Sequence, residues 1–168
     1  MGGEISVESE LGGGSRFTVA LTLPLAAKTA AAQPQASHAQ LSGKKILLCE
    51  DNEMNTEIAV NLLKSGGLQV LCASNGRRGV ETFAASEPDE FAAILMDIRM
   101  PVMDGCQAAS AIRALSRPDA QTVPIIAMSA DAYESDVERS LAAGMNSHIA
   151  KPISAETVFA ELAKYIGN

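Results

Sequence analysis

The segment that decides the fold is residues 94–105, ILMDIRMPVMDG. In it an apolar run ends abruptly at Asp97. A loop containing Pro101 follows, and Asp104 with Gly105 can open a helix. This pattern predicts a buried strand that delivers one carboxylate to its carboxyl end. Such a carboxylate is a ligand or a nucleophile, or it caps a turn. The segment alone leaves these interpretations open.

Outward from this segment, short apolar strands alternate with amphipathic helices from residue 44 to the C-terminus. The predicted strands cover residues 44–49, 68–72, 91–96, 123–128 and 148–150. Continuous apolar strands separated by helices are typical of a parallel sheet covered on both faces. With right-handed crossovers, the simple topology is a doubly wound α/β fold with a five-stranded parallel sheet.

Apolar spacing also predicts which helix faces are buried. The last helix starts at the N-cap candidate Ser154 and buries Val158, Leu162 and Ile166. Two other predicted faces are Met54, Ile58 and Leu62 in the first helix, and Tyr133, Val137 and Leu141 in the fourth.

The composition excludes several classes of protein. The 20 acidic and 13 basic residues give a net charge of −7, which argues against nucleic acid or an anionic membrane surface as a partner. There is no apolar run of bilayer-spanning length and no signal-peptide pattern, so we expect a cytoplasmic protein without membrane contact. The cysteines, Cys49, Cys72 and Cys106, lack metal-type spacing and are expected to be reduced core residues.

In a doubly wound sheet the site lies outside the carboxyl ends of the strands, so the residues there are the candidates. They are Glu50, Asp51, Asp97, Ser129, Ala130 and Lys151. Carboxylates this close repel one another unless a cation lies among them, and an all-oxygen set suits Mg²⁺. The sequence therefore predicts a magnesium site at this edge.

The same residues fit phosphoryl transfer. A carboxylate oxygen of Asp97 can attack phosphorus, while the metal, Lys151 and Ser129 stabilise the charge on the phosphoryl oxygens. Singly, Ser129 is better explained as a helix cap and Lys151 as a solvated charge. Together the strand ends favour the functional interpretation.

These motifs resemble the receiver domain of two-component response regulators. The matching segments are Glu50-Asp51-Asn52, residues 96–105, residues 127–130 and residues 149–153. The resemblance implies a flavodoxin-like strand order 2-1-3-4-5, with Asp97 as phosphoacceptor. It also implies that Mg²⁺ is held by Asp51, Asp97 and the Arg99 backbone carbonyl, and by Glu50 through a water.

By the same resemblance, Ser129, Ala130 and Lys151 contact the phosphoryl group, and the Lys151–Pro152 bond is a candidate cis peptide. The chain departs from the family at two positions: Glu50 stands where many receivers carry Asp, and His148 where Tyr or Phe is frequent. His148 is paired with Ser129 as the candidate switch, although its simpler interpretation is a surface residue near the fifth strand.

Residues 1–25 have a β-hairpin pattern with a glycine-rich connection, and residues 26–43 have the composition of a flexible linker. The hairpin resembles the last two strands of the ATP-binding domain of histidine kinases. Residues 44–168 would then be the receiver of a hybrid sensor histidine kinase. Whether the full-length kinase is anchored in a membrane is left open. We expect no ATP binding or kinase activity in this chain and no enzymatic activity beyond its own phosphorylation and dephosphorylation.

The expected partners are a histidine kinase dimerisation domain, a histidine phosphotransfer domain, or both, and homodimerisation is left open. The sequence argues against three other classes of protein. A phosphatase of the haloacid dehalogenase type would need a second carboxylate where Arg99 stands, and a nucleotide-binding module would need a glycine pattern that is missing here. An interaction domain with a degenerate site is disfavoured by the intact set of strand-end residues.

Overall fold

The computed structural model describes residues 3–10, 12–21, 41–130 and 134–166. The chain forms two compact units, Met1–Gln33 and Pro34–Asn168. In the first unit, strands β1 (Gly3–Glu10) and β2 (Gly14–Leu21) pair antiparallel, which confirms the hairpin. Most of the predicted linker, residues 26–40, and Tyr133 of the predicted fourth helix lie outside the described residues.

The hairpin presents an apolar face to solvent. The register pairs Ile5 with Val19 and Val7 with Phe17, so these side chains share one face. They are between 58% and 71% exposed. Because a two-stranded hairpin is marginally stable in water by itself, this face has the character of a surface that another element covers.

The second unit alternates strands and helices. In chain order its elements are β3 (Lys45–Cys49), α1 (Glu53–Ser65), β4 (Gln69–Ala73), α2 (Gly76–Ala85), β5 (Ala93–Asp97), α3 (Gly105–Arg113), a 3-10 turn (Pro118–Gln121), β6 (Ile125–Ser129), α4 (Glu134–Ala142), β7 (Ser147–Ala150) and α5 (Ala155–Tyr165). The strands form one parallel sheet in the order β4-β3-β5-β6-β7. Counted from β3, this is the predicted order 2-1-3-4-5, and the fold class is confirmed.

Two apolar layers hold this sheet between its helices. On one face Leu48 and Leu95 pack with α1 and α5, and on the other Met96 and Ala127 pack with α2 and α3. The strand side chains in these layers are apolar, and all but Val70 on the edge strand are buried, in keeping with a sheet covered on both sides. No helix in the described part of the chain has the length and apolar character needed to cross a bilayer.

Side-chain caps fix where the helices begin. Ser154 accepts a hydrogen bond from the Thr157 amide, as expected for the N-cap of α5. Asp104 caps α3 and forms a capping box with Gln107. Gly105, the first residue of α3, lies so close to β5 that a Cβ built on it would stand 2.2 Å from the Asp97 carbonyl oxygen. The end of β5 and the start of α3 therefore form one tightly packed joint.

The predicted buried face of α1 is wrong at Met54 and Ile58, whereas Leu62 is partly buried and packs against the core. Met54 and Ile58 are 71% and 51% exposed, whereas Ala59 and Leu63 are buried against the sheet. Both sets repeat every four residues, so spacing alone could not choose between them. The helix turns its smaller Ala59 toward the sheet and leaves two large side chains at its amino-terminal end in solvent.

Two further expectations need correction. In α4, Leu141 is 49% exposed and Ser140 is buried, so the predicted stripe through Leu141 is not the packed face. All three cysteines are free thiols as expected, but Cys72 is exposed because it lies on the edge strand β4.

Candidate functional site

Three carboxylates meet at the carboxyl edge of the sheet. Glu50 and Asp51 directly follow β3, and Asp97 is the last residue of the neighbouring strand β5. Oxygens of all three groups lie within 4.8 Å of one another. Glu50 and Asp97 are buried, and Asp51 is exposed. The cluster thus combines two desolvated charges with one that faces water.

Lys151 neutralises part of this charge. Its Nζ donates to Glu50 Oε2 and to Asp97 Oδ2, both at 2.6 Å. A backbone hydrogen bond holds the lysine in place, since the Lys151 amide donates to the Ser129 carbonyl at 2.7 Å. The bond from Lys151 to Pro152 is cis, as predicted. One ammonium therefore serves two buried carboxylates.

The pKa values of Asp97 and Lys151 reflect their burial first and the sharing of one ammonium by two carboxylates second. Burial raises the pKa of Asp97 above its ordinary value; the hydrogen bond from Lys151 opposes the rise, and the nearby Glu50 charge adds to it. Burial lowers the pKa of Lys151, but its hydrogen bonds to Asp97 and Glu50 outweigh that effect and raise the pKa above its ordinary value. The lysine remains charged, and Asp97 is under-neutralised.

Asn55 is a site residue that the sequence analysis missed. From the first turn of α1, its Nδ2 donates to Glu50 Oε1 at 2.9 Å. Together with Lys151 on Oε2, this bond fixes both oxygens of the longer acidic side chain. The sequence does show a polar residue in the first turn of the helix that follows the acidic pair. Whether its side chain points toward Glu50 depends on how α1 packs on the sheet.

The loop after Asp97 is linked to α4 by two ion pairs. Arg99 lies 3.5 Å from Asp136, and Arg139 lies 3.8 Å from Asp104. The Arg99 amide also donates to Asp97 Oδ1 at 3.2 Å. A connected set of contacts therefore runs from the Asp97 carboxylate through the following loop to α4.

Ser129 ends β6 and is buried, and the exposed Ala130 follows it at the same edge. Ser129 Oγ lies 2.9 Å from Nε2 of His148, on the adjacent strand β7. His148 is half-buried on the edge strand β7 and contacts the candidate switch serine, so it is not an isolated surface residue; its role as a switch stays a prediction. Neighbouring strands bring these residues together across 19 positions of sequence.

The donor set fits Mg²⁺. It consists of oxygen atoms alone, includes one exposed carboxylate, and carries more negative charge than Lys151 can neutralise. Mg²⁺ prefers such carboxylate oxygens and keeps several waters. Histidine and cysteine, the usual zinc ligands, are absent from this group of described residues.

A flavodoxin-like sheet with an acidic cluster and one lysine at its carboxyl edge defines a receiver module of two-component phosphorelay signalling. A family model of the response regulator receiver domain matches residues 46–163, and the chain belongs to this family.

Among solved structures, the receiver domain of sensor histidine kinase PA1611 from Pseudomonas aeruginosa PAO1, with a magnesium ion coordinated in its active site cleft, is 38% identical, with a TM-score of 0.69 over 76% of this chain and 100% of that one. The receiver domain of Ssk1 from Saccharomyces cerevisiae, crystallised with the histidine phosphotransfer protein Ypd1, is similar in fold, with 23% identity and a TM-score of 0.66 over 75% of this chain and 90% of that one.

The curated relatives are histidine kinases. The aerobic respiration control sensor protein ArcB of Escherichia coli is 32% identical over 167 residues, covering 98% of this chain and 21% of ArcB. The chain spans 8% of the length of hybrid signal transduction histidine kinase I of Dictyostelium discoideum and 21% of the length of ArcB.

Proposed function

We propose that Asp97 accepts a phosphoryl group from a phosphohistidine in a Mg²⁺-dependent reaction. The observation that carries this proposal is the meeting of Glu50, Asp51 and Asp97 within 4.8 Å, with Lys151 bonded to two of them. An under-neutralised carboxylate beside a fixed ammonium is suited to attack an electrophilic phosphorus.

Asp51, Asp97 and the Arg99 backbone carbonyl would hold the Mg²⁺, and Glu50 would contact it through a water. When bound, the ion supplies positive charge that offsets the repulsion among the carboxylates and the phosphoryl oxygens. Asn55 and Lys151 keep Glu50 in its orientation.

In the transfer step, an Asp97 carboxylate oxygen forms a bond to phosphorus as the phosphorus–nitrogen bond of the donor breaks. The electron pair of that bond leaves with the imidazole, which takes up a proton and returns to neutral histidine. Lys151 shifts from its two carboxylates to the phosphoryl oxygens, and the Ser129 hydroxyl and the Ala130 amide donate to them. The product is an acyl phosphate on Asp97, so the chain is a phosphoacceptor whose reactions are confined to its own aspartate.

The modified state shifts a pre-existing equilibrium of the face formed by α4, β7 and α5. The contacts that support this coupling are the ion pairs from the Asp97 loop to α4 and the bond from Ser129 to His148 in β7.

The proposed partners are a histidine kinase dimerisation domain, a histidine phosphotransfer domain, or both, with homodimerisation as a further possibility. Exposed Met54 and Ile58 in α1 offer an apolar surface for them, and Ile58 lines the same cleft as Glu50 and Lys151. A partner docked there would bring its histidine to the acidic edge. The crystallised pairing of the Ssk1 receiver with Ypd1 supports this kind of partner.

We further propose that residues 1–25 are the last strands of a histidine kinase ATP-binding domain and that residues 26–43 are a linker. Residues 44–168 are then the receiver of a hybrid kinase, and this part of the kinase is cytoplasmic. The similarity to ArcB over 98% of this chain extends into the hairpin. The exposed apolar face of the hairpin also fits a sheet whose remaining elements lie elsewhere in a longer protein.

Intact mass spectrometry tests the phosphoacceptor. The protein is incubated with Mg²⁺ and a small phosphoramidate or acyl phosphate, and one added phosphoryl group is expected, which chelation of the metal and Asp97→Asn both abolish. Asp51→Asn is the matched carboxylate variant, which should bind Mg²⁺ weakly and recover labelling at high metal concentration. Labelling that persists in Asp97→Asn, or none with several donors, would overturn the proposal.

A further inference from the structure

Strand β4 (Gln69–Ala73) forms one edge of the parallel sheet and has no neighbour beyond it among the described strands. Its sequence, QVLCA, holds neither a charged residue nor a proline, the residues that commonly protect an edge strand from pairing with another chain. The opposite edge strand, β7 (Ser147–Ala150), is shorter, and α5 bonds to its start through Glu161 and Tyr165. β4 is therefore the edge that is open to a further strand.

Pairing with β3 fixes the direction of the backbone groups of β4. The Gln69 amide and the Ala73 carbonyl bond to backbone groups that flank β3, at 2.9 and 3.0 Å. Alternate residues of a strand direct their backbone groups to opposite sides. Leu71 therefore faces β3 as well, and the N–H and C=O groups of Val70 and Cys72 face the open edge.

Neither neighbouring helix covers this edge. Cys72 pairs with Leu48, on the face of the sheet that α1 covers, and Leu71 pairs with Leu47, on the face that α2 covers. Both side chains are nevertheless exposed, Leu71 to 40%. The centre of the strand is therefore accessible from both faces of the sheet.

The flank of α1 beside this edge carries charges of opposite sign. Glu57 and Val60 line a cavity of about 470 Å³ together with Cys72, so this flank faces β4. Burial raises the pKa of the Cys72 thiol and the charge of Lys64 opposes the rise, which places the Lys64 ammonium near the same strand. Glu57 and Lys64 are both exposed and lie on either side of Val60, about 10 Å apart along the helix axis. The flank is therefore acidic toward the carboxyl edge of the sheet and basic toward the amino edge.

We propose that this edge is a homodimer interface, in which β4 pairs antiparallel with β4 of a second copy about a two-fold axis at Leu71. In this register Val70 of each copy lies opposite Cys72 of the other, and both pairs exchange N–H···O=C hydrogen bonds through their outward groups. Leu71 meets its own copy at the axis. The two α1 helices lie antiparallel, which brings Glu57 of each copy toward Lys64 of the other.

Charge complementarity identifies a second copy as the occupant. A flank that is acidic at one end and basic at the other matches itself when it is turned end to end, as two-fold symmetry requires. A peptide strand could bond to the same edge, but it would bring no helix to the charges of α1. The interface supplies a surface for the proposed homodimerisation, and its formation does not require phosphorylation of Asp97.

Sedimentation equilibrium of the 168-residue chain tests the interface. Because the contact is small, we expect a dissociation constant on the order of 100 μM. Leu71→Lys places two ammonium groups at the axis and should weaken the association at least about tenfold. Phe17→Lys, the same kind of change on the exposed face of the hairpin, is the matched control and should leave the dissociation constant unchanged.

An exchange of charges tests the two-fold arrangement. Glu57→Lys and Lys64→Glu each leave like charges facing one another across the axis, so each variant alone should be monomeric where the wild-type chain dimerises. In an equimolar mixture, one variant supplies lysines at both positions and the other supplies glutamates, so the mixture should associate. A mixture that stays monomeric would overturn the arrangement.

Amide hydrogen exchange reads the interface at single residues. The Val70 and Cys72 amides should exchange more slowly as the protein concentration rises, whereas the Leu71 amide, which faces β3, should not change. A chain that is monomeric at every concentration, an association that Leu71→Lys leaves intact or Phe17→Lys abolishes, or exchange at Val70 and Cys72 that is independent of concentration would each overturn this inference. Labelling of Asp97 should be equal in Leu71→Lys and the wild-type chain, so absence of labelling would count against the proposed function alone.

Discussion

Asp97 and Asp119 are both buried carboxylates in contact with a cation, yet they lie at opposite ends of the parallel sheet and have opposite electrostatic character. At the amino end, Asp119 accepts two hydrogen bonds from Arg117 in bidentate geometry, at 2.6 and 2.8 Å, and a third from the Asp89 amide at 2.9 Å. At the carboxyl end, Asp97 shares the single ammonium of Lys151 with Glu50. One site has its charge matched, and the other does not.

The Arg117–Asp119 pair at the amino end has further contacts. Arg117 also donates to the carbonyls of Phe83, Ser86 and Glu87, and its guanidinium lies 4.4 Å from the centre of the Phe83 ring. The pKa of Asp119 is accordingly lowered, chiefly by the hydrogen bonds from Arg117. This pair ties the end of α2 to the turn before β6 and has no charge left for a ligand.

The difference teaches how a buried acid is made structural or reactive. A carboxylate with a dedicated bidentate guanidinium is stabilised in its ionised form. A carboxylate that is desolvated and shares its cation is held at a cost, which a metal ion or a second cation would relieve. The following substitutions test that contrast, beginning with the largest expected effect.

Loss of the shared ammonium should disable the carboxyl edge without weakening its metal site. Lys151→Ala is expected to slow Mg²⁺-dependent labelling about 100-fold, the scale of removing one stabilising group from a charged transition state. Because Lys151 bonds to the same carboxylates that would hold the ion, Mg²⁺ affinity measured by calorimetry should be unchanged or higher. Lys164→Ala, an exposed lysine paired with Glu161, is the control and should match wild type in both measurements. A strong loss of Mg²⁺ affinity in Lys151→Ala would refute the assignment of this lysine to the phosphoryl group.

The same substitution at the two aspartates should change stability in opposite directions. Burial raises the pKa of Asp97 in the folded state, so its ionisation costs stability as pH rises through the window above the ordinary value of 3.8. Without metal at pH 7, Asp97→Asn should therefore raise the urea midpoint. The lowered pKa of Asp119 means that its stabilisation is complete above 3.8 and is lost as pH falls through the lowered value. Asp119→Asn should lower the midpoint at pH 7.

Both differences should shrink in strong acid, where the carboxyl groups are protonated in folded and unfolded states alike. Urea titrations of the two variants and the wild-type chain at pH 7 and in acid provide the measurement. Stability changes of the same sign at pH 7 would mean that the two ends of the sheet do not differ as described.

The smallest expected effect concerns backbone strain, in which the two ends also differ. Val102, in the Asp97 loop, has φ 71°, and Asp89, which donates its amide to Asp119, has φ 60°. Asp and Asn tolerate this left-handed region, whereas a β-branched residue is strained in it. Val102→Asn should therefore raise the free energy of unfolding by about 1 kcal/mol, and the reciprocal Asp89→Val should lower it by about the same amount. If urea titrations showed the two substitutions changing the free energy of unfolding in the same direction, this account would be contradicted.

The sequence was sufficient to predict the fold because the strands are short apolar runs that alternate with helices. Only a small set of sheet topologies is compatible with that alternation. It was also sufficient to bring Glu50, Asp51, Asp97 and Lys151 to one edge, since parallel strands end on the same side. Contacts that depend on side-chain direction could not be predicted in this way. The contact of Asn55 with Glu50 depends on which face of α1 is turned toward the sheet. The sequence analysis placed Met54 and Ile58 on that face, and both are exposed.

The pairing of His148 with Ser129 depends on strand register, which hydrophobic pattern leaves free for a strand of four residues. The Arg117–Asp119 pair was missed because two charges two residues apart in a polar connection have no distinctive pattern; their burial comes from the turn before β6 and from Phe83. In each case tertiary packing supplied information that the local sequence lacks.

The tight joint between Gly105 and the Asp97 carbonyl has an evolutionary consequence. The space there is limited by backbone atoms, so glycine is required whether or not the neighbouring carboxylate reacts. A descendant that lost its phosphoacceptor could drift at Lys151 and Ser129 with little penalty to folding, but position 105 would stay closed to every other amino acid. Glycine at this position would therefore outlast the chemistry beside it and mark the ancestry of a receiver that no longer signals.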